Sequence, residues 1–155
     1  MTKTIFNGLG ILVFALMSSV ASADNHSPSR SAIDATVGQM NQLWDAGDME
    51  AWVGLFASDA SFLNSSLAEP VVGREAILAM SREWPEVENI REWQVIEGNR
   101  MAIGWRERGI RPDGKKGGWY RGMSTFVFGA DGLITDYEGS FNFEAVRKAY
   151  EQTSQ

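Results

Sequence analysis

The chain contains no cysteine and a single histidine among its 155 residues. Without cysteine, disulfides and thiolate chemistry are excluded, so the hydrophobic core must stabilise the domain alone. The histidine, His26, lies in a Ser/Pro-rich stretch ahead of the first predicted helix. We therefore expect the folded domain to have no His-based catalytic triad, no metal site and no cofactor.

Basic residues are also scarce, with 14 Lys and Arg against 20 Asp and Glu. Lys3 is the only charged residue in 1–23, so the 132 residues that follow carry a formal charge of −7. A surface this acidic repels nucleic-acid phosphates and anionic lipid headgroups. We expect no nucleic-acid partner, and no membrane partner once residues 1–23 are removed.

Residues 1–23 contain the most prominent apolar run of the chain. Lys3 precedes a largely apolar stretch over 5–17, and Ala21-Ser22-Ala23 follows. This pattern is typical of a cleaved secretory signal. A membrane anchor is the alternative, but the run is shorter than the ~20 residues that a spanning helix needs. We predict cleavage between Ala23 and Asp24, and a periplasmic or secreted protein.

Apolar residues then recur at helical spacing. Residues 24–30 are polar and predict a flexible lead-in. A first helix over 31–46 is predicted from Ile33, Val37, Met40 and Trp44. Gly47 ends it, and Asp48 caps a second helix with apolar positions at Met49, Trp52, Val53 and Phe56. A third helix is predicted over 73–84, where Pro85 ends it.

The remainder alternates between apolar and polar residues, with turn residues in between. Ser58 and Asp59 predict a turn, and the alternation predicts strands over 61–65, 90–97, 100–110, 119–128 and 133–143. A short terminal helix is predicted over 144–152. Helices followed by a meander of strands predict one α+β domain over 31–150. We expect the strands to form a curved antiparallel sheet that wraps around the first helix. The resulting domain is cone-shaped and has one open end.

Three motifs carry a family resemblance. They are Gly47-Asp48 followed by Phe56-Ala57-x-Asp59-Ala60, the stretch Val72-Gly73-Arg74-Glu75-Ala76-Ile77, and the turn Asp131-Gly132-Leu133-Ile134. In this order they resemble the SnoaL-like and ketosteroid-isomerase-like branch of the nuclear transport factor 2-like superfamily, over about 31–143. The resemblance implies the cone-shaped fold with one pocket, but a shared fold does not specify a reaction.

The steroid-isomerase members of this family use a carboxylate base, a tyrosine and a protonated aspartic acid. The resemblance places these three roles at Asn64, Met40 and Ser124. An amide is not a base at neutral pH, and a methionine side chain donates no hydrogen bond. We therefore expect no steroid-type isomerisation by that mechanism.

The resemblance and the period-two alternation of strands together imply a ligand site. Its expected members are Met40, Trp44, Phe62, Asn64, Tyr120, Ser124, Phe126, Tyr137 and Phe141. Aromatic rings with a few hydroxyl and amide groups suit a small hydrophobic or amphipathic ligand. The alternatives are that Phe126 belongs to the core, and that Asn64 and Ser124 are buried structural residues.

The strand over 100–110 carries charges on both faces. Alternation places Glu107 on one face, and Arg106 and Arg108 on the other. Inward arginines would favour a carboxylate or enolate oxygen, whereas an inward Glu107 would be the candidate catalytic base. A third alternative is a solvated cross-strand pair of Glu107 with Arg121.

Three functions follow from these observations. The leading hypothesis is non-catalytic binding of a small hydrophobic or amphipathic molecule. The second is an isomerase, cyclase or hydratase that uses Glu107 or pocket tyrosines as acid and base. The third is a structural dimer module. Trp119, Met123 and Val127 predict a homodimer through the outer sheet face, as the resemblance implies, unless the terminal helix covers them.

Overall fold

The computed structural model describes residues 28–151, so the predicted signal peptide and its cleavage site lie outside the described residues. The helices are α1 (Arg30–Asp45), α2 (Met49–Val53), α3 (Arg74–Ser81) and α4 (Phe143–Glu151). The strands are β1 (Phe56–Asn64), β2 (Val71–Val72), β3 (Val87–Glu97), β4 (Arg100–Gly109), β5 (Tyr120–Phe128) and β6 (Ile134–Phe141). Within 28–151, no helix is long and apolar enough to cross a membrane.

One six-stranded sheet has the order β2-β1-β6-β5-β4-β3. Strands β3 to β6 form successive antiparallel hairpins, as expected from the turn residues between them. The sheet is nevertheless mixed, because β1 pairs with β6 in parallel. Only a tight hairpin forces an antiparallel direction. Strands β1 and β6 are adjacent in the sheet but are separated along the chain by β2 to β5, so local sequence does not set their relative direction.

Helix α1 packs on the sheet through its apolar stripe and through a hydrogen bond from its N-terminal half. Ile33, Val37 and Met40 are buried, as the helical spacing predicts. Thr36 Oγ1 donates a hydrogen bond of 2.8 Å to the carbonyl of Gly132 in the β5–β6 turn. Gly132 has φ of +81°, a conformation that favours glycine, which lets this turn approach the helix.

The junction between α1 and α2 follows the prediction at first and then departs from it. Gly47 has φ of +68°, and Asp48 Oδ1 accepts a 3.0 Å hydrogen bond from the Ala51 N–H. Helix α2 ends at Val53, however, and Phe56 begins β1 instead of continuing the helix. The predicted turn at Ser58 and Asp59 is therefore wrong, because both residues lie inside β1.

The other boundaries shift by a few residues. Strand β3 begins at Val87, before the predicted start at residue 90, because its first residues pair with the end of β4. Strand β2 was not predicted, and α3 ends at Ser81 instead of residue 84. Trp84, just beyond α3, still packs inward, with ring centroids 6.0 Å from Trp52 and 5.5 Å from Phe62.

Candidate functional site

A cavity of about 280 Å³ lies between the C-terminal half of α1 and the inner sheet face. Its apolar wall consists mainly of rings and long aliphatic side chains, namely Met40, Trp44, Trp52, Ile103, Trp105 and Phe126. Its polar groups are Asn41, Asp45, Asn89, Arg91, Glu107, Ser124 and Tyr137. The volume is near the lower end of the ~300–1,000 Å³ typical of small-molecule sites, so the cavity suits a small ligand.

The floor of the cavity is a chain of three polar side chains from β4, β5 and β6. The indole Nε1 of Trp105 donates to Ser124 Oγ at 2.9 Å, and Ser124 Oγ lies 2.9 Å from the Tyr137 hydroxyl. Because the indole can only donate, the Ser124 oxygen accepts from it and the Ser124 hydroxyl is free to donate to Tyr137. In that arrangement the Tyr137 proton is available to a group in the cavity.

The Tyr137 hydroxyl remains protonated at neutral pH. Burial raises the pKa of Tyr137 to about 12, against the opposing effect of its hydrogen bond with Ser124. The negative charge of Glu107 is a smaller contribution to the same increase in this pKa. Tyr137 can therefore act as a hydrogen-bond donor to a ligand, but at neutral pH it does not act as a base.

Glu107 is the charged residue of β4 that lines the cavity. The sequence pattern left open whether Glu107 or the two arginines beside it point inward, and the structure resolves this. One carboxylate oxygen accepts a hydrogen bond from the Tyr120 hydroxyl, and the other accepts from Asn89 Nδ2 at 2.9 Å. The suggested pair of Glu107 with Arg121 is wrong, because Arg121 bonds Glu92 at 3.1 Å on the outer face.

Arg106 and Arg108 of β4 point away from the cavity. Their guanidinium carbons lie over the Trp119 ring, at 4.9 Å for Arg106 and 4.4 Å for Arg108. Arg108 also forms a 2.7 Å ion pair with Glu88 of β3. Cation–π contacts and ion pairs thus hold both arginines on the outer face, where they do not reach a ligand in the cavity.

Arg91 of β3 is the cationic residue of the cavity wall. Its guanidinium donates to Asn41 Oδ1 of α1, and to Gln94 Oε1 at 2.8 Å. Its Nε is buried and has no acceptor within the described chain. Burial lowers the pKa of Arg91 below its ordinary value, and the charge of Asp45 opposes that effect. Arg91 therefore links the sheet to the end of α1 at the rim of the cavity.

The predicted ligand-site residues fall into two groups. Met40, Trp44, Ser124, Phe126 and Tyr137 line the cavity, whereas Tyr120 lies behind the wall and donates its hydroxyl proton to Glu107, which does line it. The cavity wall does not include Phe62, Asn64 or Phe141.

Each of these three residues has a different environment. Phe62 stacks on the Tyr137 ring, with centroids 4.3 Å apart. Asn64 Oδ1 accepts from the Ser66 N–H at 2.9 Å and from the Ser66 hydroxyl at 2.6 Å, which stabilises the turn after β1. The Phe141 ring lies 6.2 Å from that of Trp105. Phe62 and Phe141 therefore support side chains of the cavity wall.

Sequence reasoning missed four polar wall residues, which are Asn41, Asp45, Asn89 and Arg91. Asn41 and Asp45 each follow a predicted inward residue of α1, so they flank its apolar stripe. Asn89 and Arg91 are two residues apart on β3 and share a face with Glu107 across the β3–β4 pairing. Asn89 lies before the predicted start of this strand at residue 90, and polar residues beside an apolar stripe more often face solvent, so the sequence did not indicate that these side chains enter the cavity.

The model of the SnoaL-like domain family matches residues 37–137. This match covers about two thirds of the chain and includes every residue that lines the cavity, from Met40 to Tyr137, so the chain belongs to the SnoaL-like domain family. Among curated proteins, none matches the sequence.

Solved structures of several other proteins share the fold. A protein of unknown function with the nuclear transport factor 2-like fold, from Burkholderia pseudomallei, has a TM-score of 0.67 at 16% identity, covering 76% of this chain and 97% of that chain. A Mycobacterium tuberculosis protein in complex with estradiol-17β-hemisuccinate has a TM-score of 0.63 at 18% identity, with coverages of 73% and 95%. The Δ5-3-ketosteroid isomerase of a Mycobacterium species has a TM-score of 0.63 at 21% identity, with coverages of 74% and 95%. These similarities confirm the predicted fold.

Proposed function

We propose that this SnoaL-like domain binds one small amphipathic molecule in its cavity and does not convert it. The observation that carries the proposal is a cavity of about 280 Å³ whose wall combines aromatic rings with seven polar side chains. Such a cavity orients a ligand by its polar atoms while the rings bury its apolar body. The estradiol derivative bound by one structural relative supports this use of the fold.

The first test uses native mass spectrometry of protein purified from its own exported fraction. We expect an added mass on each protomer, which tandem spectra then identify. Ile103→Phe fills the cavity from β4 and should abolish the added mass. Val95→Phe adds the same ring to the exposed outer face of β3 and should retain it. An identical bound mass in both variants would contradict binding in this cavity.

A second function is favoured by the position of Glu107. Its carboxylate is fixed by Tyr120 and Asn89, and it shares the cavity with the protonated hydroxyl of Tyr137. This arrangement suits an isomerase, cyclase or hydratase in which Glu107 takes a proton from carbon. The Tyr137 hydroxyl would then donate a hydrogen bond to the oxygen that becomes negative.

Hydrogen exchange in D₂O tests this alternative without knowledge of the product. Small cyclic ketones are incubated with the protein, and deuterium at the carbon next to the carbonyl is read by NMR. Catalysis predicts exchange faster than in buffer, and a loss of roughly 100-fold or more in Glu107→Gln. Glu92→Gln, on the outer face, is the matched control. Exchange at the buffer rate throughout the panel would argue for binding alone.

We further propose a homodimer through the outer sheet face. Trp93 on β3 and Met123 on β5 flank Gly104 of β4 in register, and Val95 lies beside them. These side chains are 45%, 52% and 61% exposed, respectively, although they form one apolar surface. Apolar surface of this kind marks interaction sites, and a second copy would bury it.

Light scattering tests the dimer. Met123→Asp should give a monomer, because it places a charge within the proposed interface. Val72→Asp, at a somewhat more exposed site on β2, should leave the dimer intact. A monomeric wild-type protein at micromolar concentration would contradict the proposal.

We propose export on the basis of residues 1–23, whose lysine, apolar run and Ala21-Ser22-Ala23 support a cleaved signal. The intact mass of protein from the periplasm or the medium tests it. Cleavage after Ala23 should leave Asp24 as the first residue. Retention of residues 1–23 in a membrane fraction would favour an anchor instead.

A further inference from the structure

The charges of the cavity wall do not cancel. Asp45 and Glu107 are acidic, and Arg91 is basic, so the wall carries a formal charge of −1. The negative charge of Asp45 acts on the Arg91 guanidinium. The hydrogen bonds of that guanidinium go to the neutral side chains of Asn41 and Gln94. Asp45 and Arg91 therefore compensate each other at the rim, and Glu107 supplies the remaining negative charge.

Glu107 has only neutral partners. Its two oxygens accept from the Tyr120 hydroxyl and the Asn89 amide, and no ion pair among residues 28–151 includes it. Each carboxylate oxygen can accept about two hydrogen bonds, so each retains one free site. The two partners fix the orientation of the carboxylate while its charge remains available to a donor from the cavity.

Aromatic rings form much of the cavity wall to which this carboxylate belongs. Trp105 and Tyr120 pack edge to face, with centroids 6.2 Å apart, and Trp105 also lines the cavity. Trp44, Trp52, Phe126 and Tyr137 add further rings to the same wall. Ring faces attract cations and do not attract anions, because their quadrupoles are negative above and below the ring plane. The rings and the carboxylate thus favour the same sign of ligand charge.

We propose that the ligand of this cavity carries a protonated amine, which Glu107 binds while the aromatic wall covers the attached apolar body. This inference rests on the proposed binding function and gives the chemical class of its ligand. A carboxylate ligand would raise the negative charge inside the cavity to −2. The charge of Arg91 would not offset this, because the charge of Asp45 already opposes it.

The experiment compares ligands that share an apolar body and differ only at one end. Phenylbutylamine, phenylbutanol and phenylbutyrate form one such trio, and the corresponding cyclohexylethyl compounds form a second. Isothermal titration calorimetry at pH 7 measures their affinities for the wild-type protein. We expect the amine to bind about tenfold more tightly than the alcohol, and the carboxylate to bind most weakly. No variant is needed for this comparison.

Variants then assign the preference to one residue. Glu107→Gln should weaken amine binding about tenfold and leave alcohol binding within about twofold. Glu92→Gln on the outer face should change neither. Equal affinities within a trio, or tightest binding of the carboxylate, would overturn the inference while leaving the binding function intact. Failure of every compound to bind, with no added mass in native spectra, would instead remove the binding function itself.

Discussion

The indole of Trp105 and the hydroxyl of Ser124 are joined by a 2.9 Å hydrogen bond that is buried beneath the cavity. The two residues lie on neighbouring strands, and Ser124 connects Trp105 to Tyr137 on a third strand. The steroid-isomerase resemblance assigns the position of Ser124 to an oxyanion-binding group. The structure instead shows a serine that orders two aromatic side chains, one of which presents its hydroxyl to the cavity.

Ser124→Ala should destabilise the fold. The substitution leaves the buried Trp105 N–H without its acceptor and removes a partner of Tyr137. An unsatisfied buried donor costs about 1–3 kcal/mol. Urea unfolding followed by tryptophan fluorescence measures the loss. Ser140→Ala, at an exposed site on β6, is the control and should stay within about 0.5 kcal/mol of wild type. Equal effects at both positions would contradict the role of Ser124.

The stability of the protein should fall as the pH rises from about 10 to about 12. The pKa of Tyr137 is about 12 in the folded protein, above its ordinary value of 10.0, so the folded state retains this proton when the unfolded state has lost it. The contribution is complete below the unfolded pKa and is lost as the pH approaches the folded value, by ~2–3 kcal/mol in total.

Tyr137→Phe tests this pH dependence, because it removes the ionisable group but keeps the ring. Urea unfolding at several pH values between 9 and 12 should show a smaller decline in the variant than in wild type. Ultraviolet titration of tyrosinate should lose its highest transition in the same variant. If both proteins decline in parallel, groups other than Tyr137 cause the alkaline instability.

Gly122→Ala should cost more stability than Gly104→Ala. A Cβ at Gly122 would lie 2.4 Å from the ring of buried Trp105 and 2.8 Å from the Ser140 carbonyl. A Cβ at Gly104 would lie 2.1 Å from the ring of Trp93, which is exposed and can rotate away. Overpacking of a well-packed site costs about 1–3 kcal/mol. Denaturant midpoints measure both variants, and the reverse order would show that Trp93 is fixed in place.

The boundaries of helices and strands were predictable where residues close together in the sequence set them. Gly47 and Asp48 were predicted to end one helix and cap the next, and both have those roles. Phe56 was misassigned because it continues the helical spacing of Trp52 and Val53. The Ile134 N–H donates to the Leu55 carbonyl at 2.9 Å, which draws this segment to the sheet. That partner lies far along the chain, so local periodicity does not report it.

The residues of the candidate site likewise divide into those that the sequence pattern predicted and those that it did not. Period-two alternation placed Tyr120, Ser124 and Phe126 on one face of β5, and all three are buried on the cavity side. The alternation did not indicate which of the two charged faces of β4 points into the cavity, because both orientations are compatible with a strand. Arg91 was missed for a related reason, since an arginine beside exposed residues gives no local sign that it reaches a helix.

The sequence by itself determined the family, the order of the helices and of the five longer strands, and the exclusion of thiol chemistry. These properties depend on composition, on turn residues and on spacing within single elements. Only the tertiary structure decided that Glu107 enters the cavity, that Arg91 meets Asn41, and that Ser124 joins Trp105 to Tyr137. Each of these contacts joins residues from different elements, and so depends on how the sheet curves and where α1 crosses it.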